Sequence, residues 1–230
     1  MRGWKINGPY KGVWVYASTF FLLQSTVLFT AMSSFAGDIT GRVIDPDGTG
    51  IAQAVVFAPE LPAGAAPQPS ARSAVVDQIN KAFAPELLPI VVGTEVRFPN
   101  HDQIHHHVYS FSRTKNFELP LYKGEDAPPV VFDKVGVVKI GCNIHDWMSG
   151  VILVLPTPYY AVTDESGRFI LPNLPTGTYP LASWHVLSQS KPEETVQQVR
   201  VTENSAEATF TLVLTTARSR SAIRGARGIE

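Results

Sequence analysis

One stretch of the sequence indicates both a fold and a chemistry: Gly136-Val137-Val138-Lys139-Ile140-Gly141-Cys142-Asn143-Ile144-His145-Asp146-Trp147-Met148. Its first half alternates, since Val138, Ile140 and Cys142 share one face of an extended chain while Lys139 and Gly141 share the other. This period of two predicts a strand that ends with Cys142 on its apolar face. The second half is a short loop with the spacing Cys-x2-His-x2-Met, which carries a thiolate, an imidazole and a thioether.

The donor atoms of this loop are those that copper prefers. Cys142 is the only cysteine of the chain, and Met148 is the only methionine apart from Met1 and Met32. Soft sulfur ligands favour Cu(I), and imidazole suits copper generally. A trigonal site made of two histidines and one cysteine, with a methionine on the axis, therefore fits the loop. The alternative is a buried structural cysteine, because a free thiol often packs as a small apolar group.

The N-terminal segment has the pattern of an export signal. Arg2, Lys5 and Lys11 precede an apolar run over residues 13–30, and the small residues Ser34 and Ala36 follow it. This pattern predicts a signal peptide over residues 1–36, with cleavage after Ala36 and a periplasmic mature protein. An uncleaved single-span anchor is the alternative. If the signal is cleaved, we expect no stable membrane insertion.

Charge and cysteine content narrow the function further. Cleavage removes three basic residues and no acidic ones from totals of 19 and 20, which leaves a net charge of −4. Nucleic-acid binding is therefore disfavoured. In an oxidising compartment a lone cysteine has no partner for an intramolecular disulfide, which favours metal ligation. Residues 216–230 are basic without apolar periodicity and are predicted to be a disordered tail.

The rest of the chain has the pattern of an all-β protein. Short β-branched and aromatic runs alternate with Gly, Pro, Asn and Asp turns, and helical periodicity is nearly absent. The Ala- and Pro-rich segment 61–73 is predicted to be a linker. The predicted strands cover residues 40–44, 54–58, 74–78, 88–92, 94–98, 106–111, 130–132, 137–141, 150–155, 160–163, 169–171, 179–184, 195–201 and 208–214.

Two separated segments together resemble the carboxypeptidase-regulatory-like domain, a small prealbumin-like β-sandwich. Residues 39–48 match its opening strand and turn, whereas its usual continuation appears only at 163–169 and 174–179. The resemblance implies one sandwich split in sequence, with residues 37–60 as its first strands and 156–215 as its remainder. The alternative is that residues 37–60 belong to the inserted domain.

The inserted segment, residues 74–155, resembles the cupredoxin family, in particular amicyanin and plastocyanin. The family strand Gly-x-Tyr-x-Phe-x-Cys corresponds to Gly136-x-Val138-x-Ile140-x-Cys142, and amicyanin has the same short Cys-x2-His-x2-Met loop. The resemblance implies a Greek-key β-sandwich that holds one type 1 copper ion. The expected fold class is thus all-β, with a cupredoxin sandwich inserted into a prealbumin-like sandwich.

The resemblance also implies an upstream histidine ligand, for which the chain offers three neighbours. The family motif His-Asn-Val places the ligand at His106, two residues before Val108, with Asn100 and Asp102 in the preceding turn. Alternation leaves the choice open, because His105 and His107 share a face with the aromatic residues that follow. The expected ligands are therefore His106, Cys142, His145 and Met148, with His107 and His105 as alternatives to His106.

The expected function is electron transfer rather than catalysis, because four protein ligands leave no open metal position for a substrate. By resemblance His145 lies at the docking end, and a periplasmic dehydrogenase or c-type cytochrome is the expected partner, as in methylamine utilisation. The alternatives are a periplasmic copper chaperone or store and a metal-free structural binding module.

Overall fold

The structure, a computed structural model, describes residues 36–62 and 72–215, and in these residues the chain is all-β. A single turn of 3-10 helix covers Pro192–Glu194. The strands are β1 Ala36–Ile44, β2 Val55–Phe57, β3 Ser73–Val75, β4 Asp77–Ile79, β5 Ala82–Ala84, β6 Leu87–Val91, β7 Thr94–Arg97, β8 His106–Phe111, β9 Asn116–Tyr122, β10 Val130–Phe132, β11 Gly136–Gly141, β12 Ser149–Leu155, β13 Tyr160–Val162, β14 Arg168–Pro175, β15 Gly177–Trp184, β16 Gln197–Val201 and β17 Ala206–Thr211.

The first two strands pair with four of the last five and not with their sequence neighbours. β1 lies between β14, to which it is antiparallel, and β17, to which it is parallel. β2 lies between β13 and β15, and β16 adds to the far side of β15. The backbone N–H of Ala58 donates to the carbonyl of Tyr159 at 2.9 Å, so the intervening hundred residues leave and rejoin this sandwich at one point.

The intervening residues form a second sandwich. One sheet has the order β6-β12-β11-β8-β9 and the other has the order β10-β7-β3, while β4 and β5 make a separate hairpin. β6 and β12 are parallel, whereas β11 pairs antiparallel with both β12 and β8. This order places the ends of β8 and β11 side by side, which matters for the site described below.

Apolar side chains fill three successive interfaces between the sheets. Alternation along β2 turns Val56 toward the sheet of β1, while Val55 and Phe57 face the opposite way. On β12, Ile152 and Val154 face the core of the second sandwich. The alternating residues Leu153 and Leu155 face the other way and pack with Phe57. The second sandwich therefore packs with the outer face of its five-stranded sheet against the four-stranded sheet β13-β2-β15-β16.

Several predictions concern residues outside the described ranges. The signal peptide, most of the 61–73 linker and the 216–230 tail lie there. In residues 36–62 and 72–215, no helix is both long and apolar enough to cross a membrane. The strand pairing agrees with a split sandwich, but the domain boundaries and the likeness to a carboxypeptidase-regulatory-like domain stay predictions.

Candidate metal centre

Strand β8 delivers one histidine to the interior. His106, Val108 and Ser110 are fully buried, while Tyr109 is half-buried and Phe111 is 77% exposed. The inward face of β8 is therefore the face of His106. His107 lies on the other face of β8, where Tyr109 and Phe111 pack on each other with ring centroids 5.0 Å apart.

Strand β11 and the loop after it deliver the other donors. The predicted alternation is confirmed, since Val138, Ile140 and Cys142 are buried and Lys139 is exposed. Two backbone hydrogen bonds close the loop. The N–H of Cys142 donates to the carbonyl of Met148 at 3.1 Å, and the N–H of Met148 donates to the carbonyl of His145 at 2.9 Å. Met148 is buried in the core of the second sandwich, and His145 is half-buried.

His106, Cys142 and His145 form a cluster that can hold a metal ion. Their ligand atoms all lie within 4.8 Å of one another. The Sγ of Cys142 is 3.8 Å from the Nδ1 of His106 and 3.7 Å from the Nδ1 of His145. Both rings thus turn the same nitrogen toward the sulfur, and the ring centroids are 5.0 Å apart.

The sulfur-to-nitrogen distances suit donors of one shared ion. A metal about 2.3 Å from sulfur and about 2.0–2.1 Å from nitrogen, as in zinc proteins, places the two donors about 3.5–3.8 Å apart at angles from tetrahedral to 120°. The observed 3.7 and 3.8 Å lie in this range. Two imidazoles and one thiolate are the main donor set of blue-copper sites.

A carboxylate fixes the orientation of His106. The Nε2 of His106 lies 2.8 Å from the Oδ2 of Asp102. An ionised carboxylate only accepts hydrogen bonds, so Nε2 carries the hydrogen and Nδ1 keeps a free lone pair toward Cys142. Burial by itself would raise the pKa of Asp102, but hydrogen bonds from the N–H of Lys81, the ring of His106 and the N–H of Asn80 outweigh it and hold that pKa below its usual value.

His145 occupies the solvent side of the cluster. Burial is the largest cause that lowers the pKa of His145, and the charges of His106 and Lys81 lower it further. A lowered pKa favours the neutral imidazole, which is the form that binds metal. Its ring centroid is 5.2 Å from that of Trp147. Trp147 and Ile144 are 65% and 48% exposed, so apolar surface lies beside the ring.

The remaining histidines lie outside the cluster. His105 is exposed, and His101 pairs with Asp77 at 2.7 Å. The Nε2 of His107 lies 2.8 Å from the Oε1 of Glu118, at the position where the family motif has asparagine. His185 lies at the end of β15, in the first sandwich, and its Nδ1 accepts a hydrogen bond from the N–H of Leu187 at 3.1 Å.

Sequence reasoning missed the partners of the site. Asp102 was expected only as a turn residue, and the contribution of Asn80 and Lys81 was not foreseen. The sequence signal for this turn is Asn80, a residue type that favours tight turns. In the structure its φ is +55°, as in tight hairpin turns.

The structure is similar to solved cupredoxins over part of its length. A purple cupredoxin from Nitrosopumilus maritimus is 28% identical, with a TM-score of 0.31, and the match covers 36% of this chain and 97% of that one. A reduced amicyanin mutant is 25% identical, with a TM-score of 0.33 and coverages of 43% and 90%. A copper-containing nitrite reductase from Thermus scotoductus is 28% identical, with a TM-score of 0.34, but the match covers only 25% of that chain and 41% of this one.

No family model matches this chain, and no curated protein does. The donor atoms of His106, Cys142 and His145 and their spacing indicate a metal such as copper independently of these similarities.

Proposed function

We propose that this protein is an exported type 1 copper protein that carries single electrons between periplasmic redox partners. The observation that carries the proposal is that Cys142 Sγ lies 3.8 and 3.7 Å from the Nδ1 atoms of His106 and His145, so the three donors converge on one position. Met148, which is buried at the end of the same loop, is the proposed axial ligand. Copper bound there would supply a one-electron couple between Cu(II) and Cu(I).

The protein contributes a rigid and closed setting for these ligands. His106 and Cys142 are anchored on adjacent strands, and the two backbone hydrogen bonds of the 142–148 loop fix the other donors. Such a scaffold limits the change in ligand positions when an electron enters or leaves. If Met148 completes the set, copper would have four protein ligands and no position open for a substrate, and a carrier is therefore favoured over an enzyme.

Partner docking is proposed at the surface around His145. Ile144 and Trp147 expose apolar area beside His145, whose ring would be a direct ligand of the metal. A redox protein that buries this surface would approach the metal through a single imidazole. A dehydrogenase as donor and a c-type cytochrome as acceptor are the proposed partner classes.

Export is proposed from the signal-like sequence of residues 1–36. Ligation of the buried Cys142 is compatible with an oxidising compartment, where a lone thiol has no intramolecular disulfide partner. The periplasm is therefore the proposed location.

The decisive experiment is a visible and EPR spectrum of the mature protein loaded with one copper ion. We expect an intense thiolate-to-copper charge-transfer band and a narrow hyperfine splitting, because the Cys142 thiolate would be a direct ligand of the copper. Cys142→Ser should abolish both signals. Asn143→Ser, an exposed change in the same loop, should leave both intact.

Two outcomes would contradict the proposal. Weak and exchangeable copper without the charge-transfer band would favour a chaperone or store. If the wild type takes up no copper and is as stable as Cys142→Ser, a metal-free binding module is the better description.

A further inference from the structure

The hairpin of β4 and β5 is docked on the loop that precedes His106. The N–H of Gln78 donates to the carbonyl of Pro99, and the N–H of His101 donates to the carbonyl of Gln78, both at 3.0 Å. The ring of His101 also lies 2.7 Å from a carboxylate oxygen of Asp77. Contacts on two consecutive residues of β4 therefore hold the hairpin against residues 99–101.

The turn of this hairpin presents two N–H groups to one carboxylate. The N–H of Asn80 donates to Oδ1 of Asp102 and the N–H of Lys81 donates to Oδ2, each at 2.7 Å. Asn80 and Lys81 have φ values of +55° and +59°, a left-handed pair that is uncommon without glycine. Successive N–H groups of a tight turn can form a concave site for an anion, and here the anion is a side chain of the same protein.

The Asp102 carboxylate, held by the turn, also bonds the buried His106. Oδ2 of Asp102 also accepts from Nε2 of His106 at 2.8 Å, and the N–H of Asp102 donates to the side-chain oxygen of Asn100 at 3.0 Å. Asp102 is thus held from both sides, and the His106 ring is fully buried. The position of the turn therefore sets the direction in which Nδ1 points.

We propose that the Asn80–Lys81 turn positions His106 for metal binding by way of Asp102. The N–H groups of the turn reach His106 through the carboxylate. The charge of the Lys81 side chain also acts on His145, and both Lys81 variants below remove that charge equally. The proposal rests on the proposed function for its copper readouts. The state of the His106 ring in the metal-free protein provides a readout that does not.

The test uses a pair of substitutions at Lys81. Lys81→Pro removes the N–H donor and requires a φ near −65°, so the carboxylate loses one of its three donors. Lys81→Gly also removes the charge but keeps the N–H and tolerates the left-handed φ, so it is the matched control. Both changes are made in the wild type and in Asp102→Asn. Asp102→Asn alone is the second variant, in case Lys81→Pro does not fold.

Two measurements are made on the full mature chain. Long-range 1H–15N NMR of the metal-free protein reports which nitrogen of His106 carries the hydrogen. Copper titration reports the affinity, and loss of an outer partner of a metal ligand typically lowers affinity by about 10–100-fold. We expect Lys81→Pro and Asp102→Asn to mix the tautomers of His106 and to weaken copper binding within that range, while Lys81→Gly stays within roughly threefold of wild type.

The double variant with Lys81→Pro and Asp102→Asn tests whether the turn acts through Asp102. If the turn acts through Asp102, Lys81→Pro has little further effect in the Asp102→Asn background. Independent, multiplying effects on affinity would overturn the proposal, as would a wild-type tautomer and affinity in Asp102→Asn. A wild type without the charge-transfer band would instead refute the proposed copper function, and the tautomer measurement would still decide the role of the turn.

Discussion

Three consecutive histidines meet three different environments in this protein. His106 is fully buried beside Cys142, His107 is buried on the opposite face of the strand beside Glu118, and His105 is exposed. Successive strand residues face opposite sides, so a shift of one residue in β8 would exchange His106 for a neighbour and remove it from the cluster. The proposed ligand set therefore depends on strand register.

Single substitutions in this triplet test the assignment. We expect His106→Asn to eliminate the thiolate-to-copper charge-transfer band, because it removes one of the three donors of the cluster. The same change at His107 or His105 should keep the spectrum, since neither ring lies in the cluster. Visible absorption of the copper-loaded variants is the measurement, and a His107→Asn protein that loses the band while His106→Asn keeps it would reverse the assignment.

The sequence indicates the donors that lie close together along the chain and misses the partners that lie far apart. Cys142, His145 and Met148 share one seven-residue loop, so their spacing alone indicates a ligand set. The hydrogen bonds from the N–H groups of Asn80 and Lys81 to Asp102 join residues more than twenty positions apart. No periodicity encodes such a contact, because it depends on how a hairpin docks on a loop.

At the scale of elements, two strands were absent from the prediction. β9 contains Pro120, which has no N–H for a sheet ladder and argues against a central strand. In the structure β9 is the edge strand of the five-stranded sheet, where proline is tolerated. Its register against β8 shifts between His106 and Val108, an irregularity of the kind that often occurs next to functional sites. β5 was missed because two of its three residues are alanine, which is depleted in strands, and Pro85 follows directly.

The pairing of β1 with β17 depends on a glycine. A Cβ at Gly41 would lie 1.8 Å from the carbonyl oxygen of Ala208, and this oxygen belongs to the backbone and cannot rotate away. We expect Gly41→Ala to lower the free energy of unfolding by about 3 kcal/mol, because the strands must separate to admit the methyl group.

Denaturant unfolding followed by circular dichroism measures this loss. Thr209→Ala, an exposed change on β17, is the control and should cost less than about 1 kcal/mol. A Gly41→Ala protein as stable as this control would show that the close approach of the strands is not tight in solution.

At the scale of the whole molecule, the order of the sheets was less predictable than their strands. The turn signatures near residues 45 and 164 indicated that distant segments share one sandwich, and β1 does pair with β14. The packing of one sandwich on the other was not foreseen. β2 and β12 are buried on both faces, so their continuous apolar runs show no alternation that would say which layer covers each face.

The interface between the sandwiches predicts coupled unfolding. Trp184 is 8% exposed and packs there with Phe57, Leu153 and Leu155. We expect Trp184→Ala to remove about 3–5 kcal/mol and to lower the unfolding midpoint of both sandwiches together. Circular dichroism and the copper absorption band, followed in the same denaturant series, should give coincident transitions.

Val213→Ala, at an exposed position, is the control for this change and should leave the midpoint nearly unaltered. If the copper band in Trp184→Ala disappeared at the wild-type midpoint while the remaining signal shifted, the sandwiches would unfold independently.

The parallel pairing of β1 with β17 has a mechanical consequence. A pull between residues 36 and 215 would load these two neighbouring strands in shear, so that their ladder hydrogen bonds share the force. The residues between β1 and β17, including His106, Cys142 and His145, lie outside this path until the pair ruptures. A protein tethered at one end and strained at the other would therefore keep these three side chains together up to the force at which β1 slides off β17.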